Sequence, residues 1–201
     1  MNLQNPKITL LAIAALFMTP LILAMLMRSS WWDFEPSQFA NRGILIDPPV
    51  NMPIDDLNFQ YSGNNRFPAA SMQWTLLYPI DVHCDESCLR DVVSLRQIHL
   101  ATGKDRQRVT LWLLAENQLP DSLQTRLVAA YPEFNLLNDP TGAALDLLAA
   151  VSNNMNAQKQ DSDRGQVYLL DPAANIILRY TPGFDPEDIK IDLDRLLSWS
   201  Q

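Results

Sequence analysis

The most informative stretch of this chain is residues 74–88, which reads WTLLYPIDVHCDESC. Its first half is a short apolar run, and such a run is typical of a strand that is buried on both faces. Its second half ends in Cys84 and Cys88, the only two cysteines among the 201 residues. We therefore predict that the two cysteines follow a buried strand and stand at the start of the next helix.

Strand-like and helix-like segments alternate downstream of this stretch. The apolar patterns predict strands over residues 109–115, 134–137, 167–170 and 176–180, and helices over 89–102, 122–131, 140–151 and from 186 onward. The last two strands flank a turn that contains Asp171 and Pro172, which predicts a hairpin. Alternating units imply a parallel core sheet covered by helices, and the hairpin makes the sheet mixed. The predicted fold class is α/β.

The segment upstream of residue 74 is rich in proline, asparagine and aspartate. Four prolines exclude a long helix there: Pro36, Pro48, Pro49 and Pro53. Residues 57–60 alternate between apolar and polar side chains, and residues 61–65 form a turn sequence, so a local hairpin is expected. We predict a proline-rich tether over residues 29–56 and one domain over residues 57–201.

Residues 8–27 contain no charged side chain. As a helix they would be about 30 Å long, which matches the hydrocarbon core of a bilayer. The run exceeds the apolar region of a cleavable signal peptide, and no small-residue cleavage site follows it. We therefore predict a short tail over residues 1–7 and an uncleaved transmembrane anchor over residues 8–28.

Composition narrows the classes of function. The net charge is −8, and every acidic residue lies beyond residue 28, so the domain is a poor candidate for binding nucleic acid. Two cysteines are too few for a four-thiolate zinc site or a multi-disulfide scaffold. The positive charges that flank the anchor are nearly balanced. Its position near the N-terminus and the cysteine pair favour a domain exported to the periplasmic side of the inner membrane.

Cys84 and Cys88 are four residues apart, so a helix that starts near Cys84 would place both sulfur atoms on one face. They could then form a disulfide or hold one soft cation. A helix N-terminus favours the thiolate form, whereas the nearby acidic residues oppose it: Asp81, Asp85, Glu86 and Asp91. We interpret the acidic cluster of Asp85, Glu86 and Asp91 as solvated helix surface, with partner recognition as the alternative. A passive structural disulfide also remains open, although so short a loop adds little stability.

This layout resembles the SCO family of cytochrome c oxidase assembly proteins, which are membrane-anchored and thioredoxin-like. The resemblance rests on the strand, on the C-x-x-x-C pair at a helix start and on the hairpin sequence from Val167 to Pro172. It implies a thioredoxin-like fold, copper bound by Cys84 and Cys88 together with a histidine, and an oxidase subunit or assembly factor as partner.

The histidine of that family would fall near Asp163, where this chain has none. His99 stands eleven residues after Cys88, which in a helix is about 16 Å away, so it cannot share a metal with the pair. His83 adjoins Cys84 and is the remaining candidate for a third metal ligand. Two thiolates alone can hold Cu(I).

Two hypotheses of function follow from the sequence. In the first, a membrane-tethered thioredoxin-like protein assists cytochrome c oxidase assembly by thiol–disulfide exchange, by transient Cu(I) handling, or by both, through Cys84 and Cys88. By analogy Cys84 is the attacking cysteine. In the second, the domain is a non-catalytic adaptor whose cysteines form a static disulfide while its acidic surface docks a membrane partner.

Overall fold

The computed structural model describes residues 6–28, 41–61, 73–154 and 165–200. The chain divides into two compact units, Met1–Ala40 and Asn41–Gln201. The first unit contains helix α1, Pro6–Arg28, with Pro20 inside it. No helix in the described part of the chain has the length and hydropathy needed to cross a bilayer. The transmembrane anchor predicted over residues 8–28 is therefore not supported.

The second unit is built on one mixed sheet, in which the described residues supply seven strands. These are β1 (Ile44–Asn51), β2 (Asn58–Tyr61), β3 (Trp74–Pro79), β4 (Val109–Ala115), β5 (Phe134–Asn138), β6 (Val167–Leu170) and β7 (Asn175–Tyr180). Their order across the sheet is β1-β7-β6-β3-β4-β5-β2. Strands β3, β4 and β5 run parallel, whereas β6 is antiparallel to β3 and to β7. The predicted parallel core and terminal hairpin are confirmed.

Four helices follow the predicted order: α2 (Glu86–Ala101), α3 (Asp121–Ala130), α4 (Ala143–Asn154) and α5 (Pro186–Trp199). Helix α4 begins three residues later than predicted. The reason is that the Asp139 carboxylate accepts hydrogen bonds from the Leu145 backbone N–H and from the Thr141 hydroxyl, at 2.9 and 3.0 Å. Gly142 adopts a positive φ of 76° in that turn. The Asp139 carboxylate thus caps α4 from a turn that includes Pro140, and Pro140 is not the first helical residue.

The central strands are buried on both faces, as predicted. Leu76 and Tyr78 of β3 belong to one core cluster, together with Leu193 of α5. Leu77, which lies between them, belongs to the second cluster, together with Leu148 of α4. Because neighbouring side chains of a strand point to opposite faces, one strand serves both layers of helices.

Strand β1 lies within the segment that the sequence analysis assigned to the tether of residues 29–56. It pairs antiparallel with β7, with Ile44 opposite Arg179 and Val50 opposite Ile176, so the compact unit begins before the predicted boundary at residue 57. Pro48 and Pro49 are tolerated because they lie where the register of this edge strand against β7 shifts, between Leu45 and Val50, outside the regular ladder. Residues 29–40 lie outside the described residues.

The start of β1 is held by a buried carboxylate on α5. Asp192 accepts hydrogen bonds from the backbone N–H of Arg42 at 2.9 Å, from that of Gly43 at 2.8 Å and from the Tyr180 hydroxyl at 3.0 Å. Its exposed fraction is only 3%. Asp192 therefore links the start of the second unit to helix α5 through hydrogen bonds.

Only the first strand of the local hairpin predicted near residues 57–65 falls within the described residues. Strand β2 forms there, but it pairs antiparallel with β5, and Asn58 lies opposite Asn138. The predicted turn residues 62–65 lie outside the described residues. Asn58 and Asn138 are 80 positions apart, and local alternation could not indicate a pairing at that distance.

Candidate functional site

The two cysteines stand where the sequence predicts, after β3 and at the start of α2. Cys84 precedes the helix and Cys88 lies in its first turn. They form a disulfide with a Cα–Cα distance of 5.3 Å. Both residues are partly buried, and both pack against the edge of the first core cluster. The disulfide is therefore anchored on a rigid layer and reachable from solvent.

Asp85 determines where α2 begins. Its Oδ1 accepts hydrogen bonds from the backbone N–H groups of Ser87 and Cys88, both at 3.0 Å, and from the Ser87 hydroxyl at 2.7 Å. These bonds stabilise the carboxylate and lower the pKa of Asp85, the bond from Cys88 most of all. Helix α2 therefore starts at Glu86, earlier than the predicted residue 89, because a side-chain acceptor satisfies its first donors.

Asp91, which the sequence analysis placed on solvated surface, is partly buried beside the disulfide. The Tyr78 hydroxyl, on β3, donates a hydrogen bond to Asp91 Oδ2 at 3.0 Å. Burial raises the pKa of Asp91 above its ordinary value. The pKa of the Tyr78 phenol is raised as well, first by burial and then by the negative charge of Asp91. The spacing of Asp91 from Cys88 is the signal that could have placed it on the same face of the helix.

An open cleft of about 750 Å³ lies over the disulfide. Besides the cysteines, Tyr78 and Asp91, its lining includes Gly165, just before β6, and Pro182 and Gly183, just after β7. The lining contains three acidic side chains, Asp81, Asp85 and Asp91, and the basic side chain of Arg90. The cleft can therefore admit a peptide segment or a small thiol to the disulfide.

Gly165 forms a tight part of the wall of this cleft. Its φ is +77°, and a Cβ atom there would lie 3.3 Å from Pro182 Cβ and 3.7 Å from Asp91 Oδ2. Side chains other than that of glycine rarely adopt such a backbone conformation. The sequence analysis did not single out Gly165.

His83, the candidate third metal ligand, is an exposed loop residue that lines the same cleft. Its backbone N–H donates to Asp81 Oδ1. Among the described residues, no three histidine, cysteine or acidic side chains come together in a way that could hold a metal ion. Moreover, metals bind the thiolate form of cysteine, and both sulfur atoms are joined in the disulfide. With the pair oxidised, the described residues do not present the three-ligand copper site that the resemblance implied.

His99 belongs to the core of α2 and not to this cleft, which agrees with its exclusion as a ligand of the pair. It is 6% exposed, and its Nε2 lies 3.1 Å from the Val109 carbonyl oxygen and 3.2 Å from that of Arg106. Burial lowers the pKa of His99. Its role is to join the end of α2 to the start of β4.

Comparisons with known proteins agree with this architecture. The fold is similar to the solution structure of apo Sco1 from Thermus thermophilus, with a TM-score of 0.54 and 15% identity over 80% of this chain and 99% of that one. It is also similar to BsSco, described as a member of the Sco family of cytochrome c oxidase assembly proteins, with a TM-score of 0.52 and 16% identity over 78% and 99% of the two chains. No curated protein matches the chain in sequence.

Likeness at these identities establishes the thioredoxin-like fold. A family model matches residues 74–200, which run from β3 to the end of α5 and include the whole cleft. Because that model covers more than half of the sequence, the chain belongs to the family of transmembrane-like, thioredoxin-like C-terminal domains.

Proposed function

We propose that this domain carries out thiol–disulfide exchange through Cys84 and Cys88. The observation that carries the proposal is the disulfide itself, which is partly exposed at the first turn of α2 and opens into a cleft of about 750 Å³. A passive cross-link would need no such access. It would also stabilise the domain little, because the bonded residues are only four apart in the sequence.

The exchange transfers two electrons between this pair and a dithiol of a partner protein. A partner thiolate attacks one sulfur, the Cys84–Cys88 bond breaks, and a mixed disulfide forms with one cysteine while the other leaves as a thiolate. A second partner thiol then attacks the mixed disulfide. The partner is oxidised to a disulfide, and Cys84 and Cys88 are reduced to thiols. We assign Cys84 as the cysteine that carries the mixed disulfide, because it precedes the helix while Cys88 lies within the first turn.

The test is the reduction potential of the pair in the full-length protein. The protein is equilibrated with glutathione buffers of graded ratio, and the free thiols are trapped by alkylation. We expect a potential above about −300 mV, in the range of exchanging pairs. A Cys88→Ser variant should accumulate a mixed disulfide through Cys84, whereas the double variant Cys84→Ser, Cys88→Ser should accumulate none. A potential well below about −300 mV would reject exchange and favour the adaptor with a static disulfide.

The partner that we propose is a thiol-bearing subunit or assembly factor of cytochrome c oxidase. This step rests on the fold shared with BsSco, whose own description names that process. The test is complementation of a deletion strain. Oxidase activity should return with the wild-type chain and should not return with the double cysteine variant. Recovery with the double variant would show that the chain acts in some other way.

Attachment to the inner membrane and a periplasmic domain stay predictions of the sequence. Carbonate extraction of membranes tests attachment. Alkylation of Cys84 and Cys88 in intact, prereduced cells by a membrane-impermeant reagent tests the predicted side, because only exported thiols would react.

Binding of Cu(I) to the reduced pair also stays a prediction of the resemblance. Titration of the reduced full-length protein against a chromophoric Cu(I) chelator measures it directly. A His83→Ala variant shows whether that imidazole contributes. No step of the exchange described above requires copper.

A further inference from the structure

Arg179 of β7 is a buried cation on the far side of the sheet from the disulfide. We propose that its guanidinium is a binding site for a small monovalent anion, of the size of chloride or formate. The proposal is independent of the exchange through Cys84 and Cys88. Its basis is a buried positive charge, one edge of which has no hydrogen-bond partner among the described residues.

The position of Arg179 in the sheet places its side chain in the protein interior. Arg179 lies opposite Tyr168 of β6 and opposite Ile44 of β1. Tyr168 belongs to the second core cluster, and residues directly opposite each other on neighbouring strands project from the same face. The Arg179 side chain therefore enters the layer that α4 covers, and its exposed fraction is 1%.

Uncharged polar side chains surround one end of the guanidinium. Nη1 of Arg179 donates to Ser152 Oγ at 3.3 Å and to Gln166 Oε1 at 3.2 Å. Gln166 Nε2 donates to Ser152 Oγ at 2.9 Å, and the Tyr168 hydroxyl donates to Gln166 Oε1 at 3.1 Å. Ser152 accepts in both of its bonds, so its own hydroxyl proton can go to a further acceptor.

The other edge of the guanidinium is formed by Nε and Nη2. Both atoms are buried, and within the described part of the chain neither has a hydrogen-bond partner. Their N–H bonds point side by side from one edge of the planar group, which is the fork that receives a carboxylate or another anion. Leaving a buried donor without an acceptor is costly, above all when the donor is charged. The free edge is therefore suited to an anion.

The charge on Arg179 has no counterpart among its described neighbours. Arginine cannot lose its proton in a protein, so burial does not neutralise it. An unpaired buried charge is costly, and buried charges are accordingly paired with opposite ones. The ion pairs between described residues all involve other cations, namely Arg42, Arg96, Arg108, Lys190 and Arg195. A negative charge at the free edge would therefore stabilise the native protein.

The surroundings favour an anion that is small and singly charged. The available donors are the Nε–H and Nη2–H groups of Arg179 and the hydroxyl of Ser152, and together they carry one positive charge. A divalent anion would leave one negative charge unpaired beside the second core cluster, to which Tyr168 belongs. Chloride and formate match both the charge and the number of donors.

The experiment measures the Tm of the full-length protein by circular dichroism while sodium gluconate is replaced by sodium chloride at constant ionic strength. Gluconate is too bulky for a buried site, and constant ionic strength keeps the screening of surface charges fixed. An anion that binds only the native protein raises Tm as its concentration exceeds the dissociation constant. We expect a rise of about 5 °C or more at about 100 times that constant. A second series with formate shows which of the two anions binds better.

Three variants separate binding at Arg179 from a general effect of salt. Arg179→Met keeps an unbranched side chain and removes the charge, so its Tm should not depend on chloride or formate. Ser152→Ala keeps the guanidinium and removes one donor, so the same rise should require about five to ten times more chloride. Arg126→Met is the matched control, because Arg126 is exposed on α3, and its dependence should equal that of the wild-type protein.

The position of the anion is tested by anomalous diffraction from crystals of the full-length protein soaked in sodium bromide. Bromide should lie in contact with Nε and Nη2 of Arg179, and its absence there would overturn the inference. So would a wild-type Tm that is insensitive to both chloride and formate, or an unchanged dependence in Arg179→Met. A carboxylate of this chain from outside the described residues would give that insensitive Tm, and the inference would then be wrong.

Discussion

Replacement of Asp192 by alanine should destabilise the domain more than the loss of any exposed acidic residue. The Asp192 carboxylate accepts hydrogen bonds from the backbone N–H of Arg42, from that of Gly43 and from the Tyr180 hydroxyl. The bonds from Gly43 and Tyr180 are buried, so the substitution leaves two buried donors without an acceptor. Each such donor costs about 1–3 kcal/mol. We therefore expect a loss of about 4 kcal/mol in the free energy of unfolding.

The assay is thermal and urea unfolding of the full-length protein, followed by circular dichroism. For a domain of this size, about 4 kcal/mol corresponds to a fall in Tm of about 8–16 °C. Asp194→Ala is the matched control, because Asp194 lies on the same helix and forms an exposed ion pair with Lys190. Exposed pairs contribute less than about 1 kcal/mol. Equal losses for Asp192→Ala and Asp194→Ala would refute the reasoning that the buried carboxylate fastens β1 to α5.

Three further outcomes are expected. Gly43→Ala should lower the free energy of unfolding by about 1–3 kcal/mol in urea titrations, because a Cβ atom there would lie 2.7 Å from Tyr180 Cε1. An unchanged midpoint of urea unfolding would contradict this packing. Reduction of the Cys84–Cys88 disulfide should lower Tm by only about 4–8 °C, because the chain-entropy contribution of so short a loop to stability is about 2 kcal/mol. Loss of the native circular dichroism spectrum on reduction would argue against reversible exchange. Burial lowers the pKa of His99. Near pH 6.5 this imidazole therefore binds a proton in the unfolded chain but stays neutral in the native protein. Stability should accordingly fall as pH drops below about 6.5, and His99→Gln should reduce that dependence in Tm measurements across pH.

The core of the fold follows from local sequence. Strand β4 has the predicted bounds. The apolar spacing of α5 predicts one stripe of Ile189, Leu193, Leu196 and Leu197, of which Leu196 is partly buried and the other three are buried. The cysteine pair also lies where the sequence places it, at the start of α2. These features depend on the period of apolar side chains and on capping residues within one or two turns, and a single sequence contains that information.

Tertiary structure alone determined the edges of the sheet and the surroundings of the disulfide. Strand β1 pairs with β7, and the Asp192 carboxylate accepts a hydrogen bond from the backbone N–H of Gly43, 149 positions away in the sequence. Tyr78 and Asp91 were predicted as core and as solvated surface, yet they share a hydrogen bond beside Cys88. Sequence gives the spacing of Asp91 on its helix, but it does not give which strand lies beneath that helix. Burial and pairing between distant segments arise only when the sheet order is fixed, and that order sets the chemistry available at the disulfide.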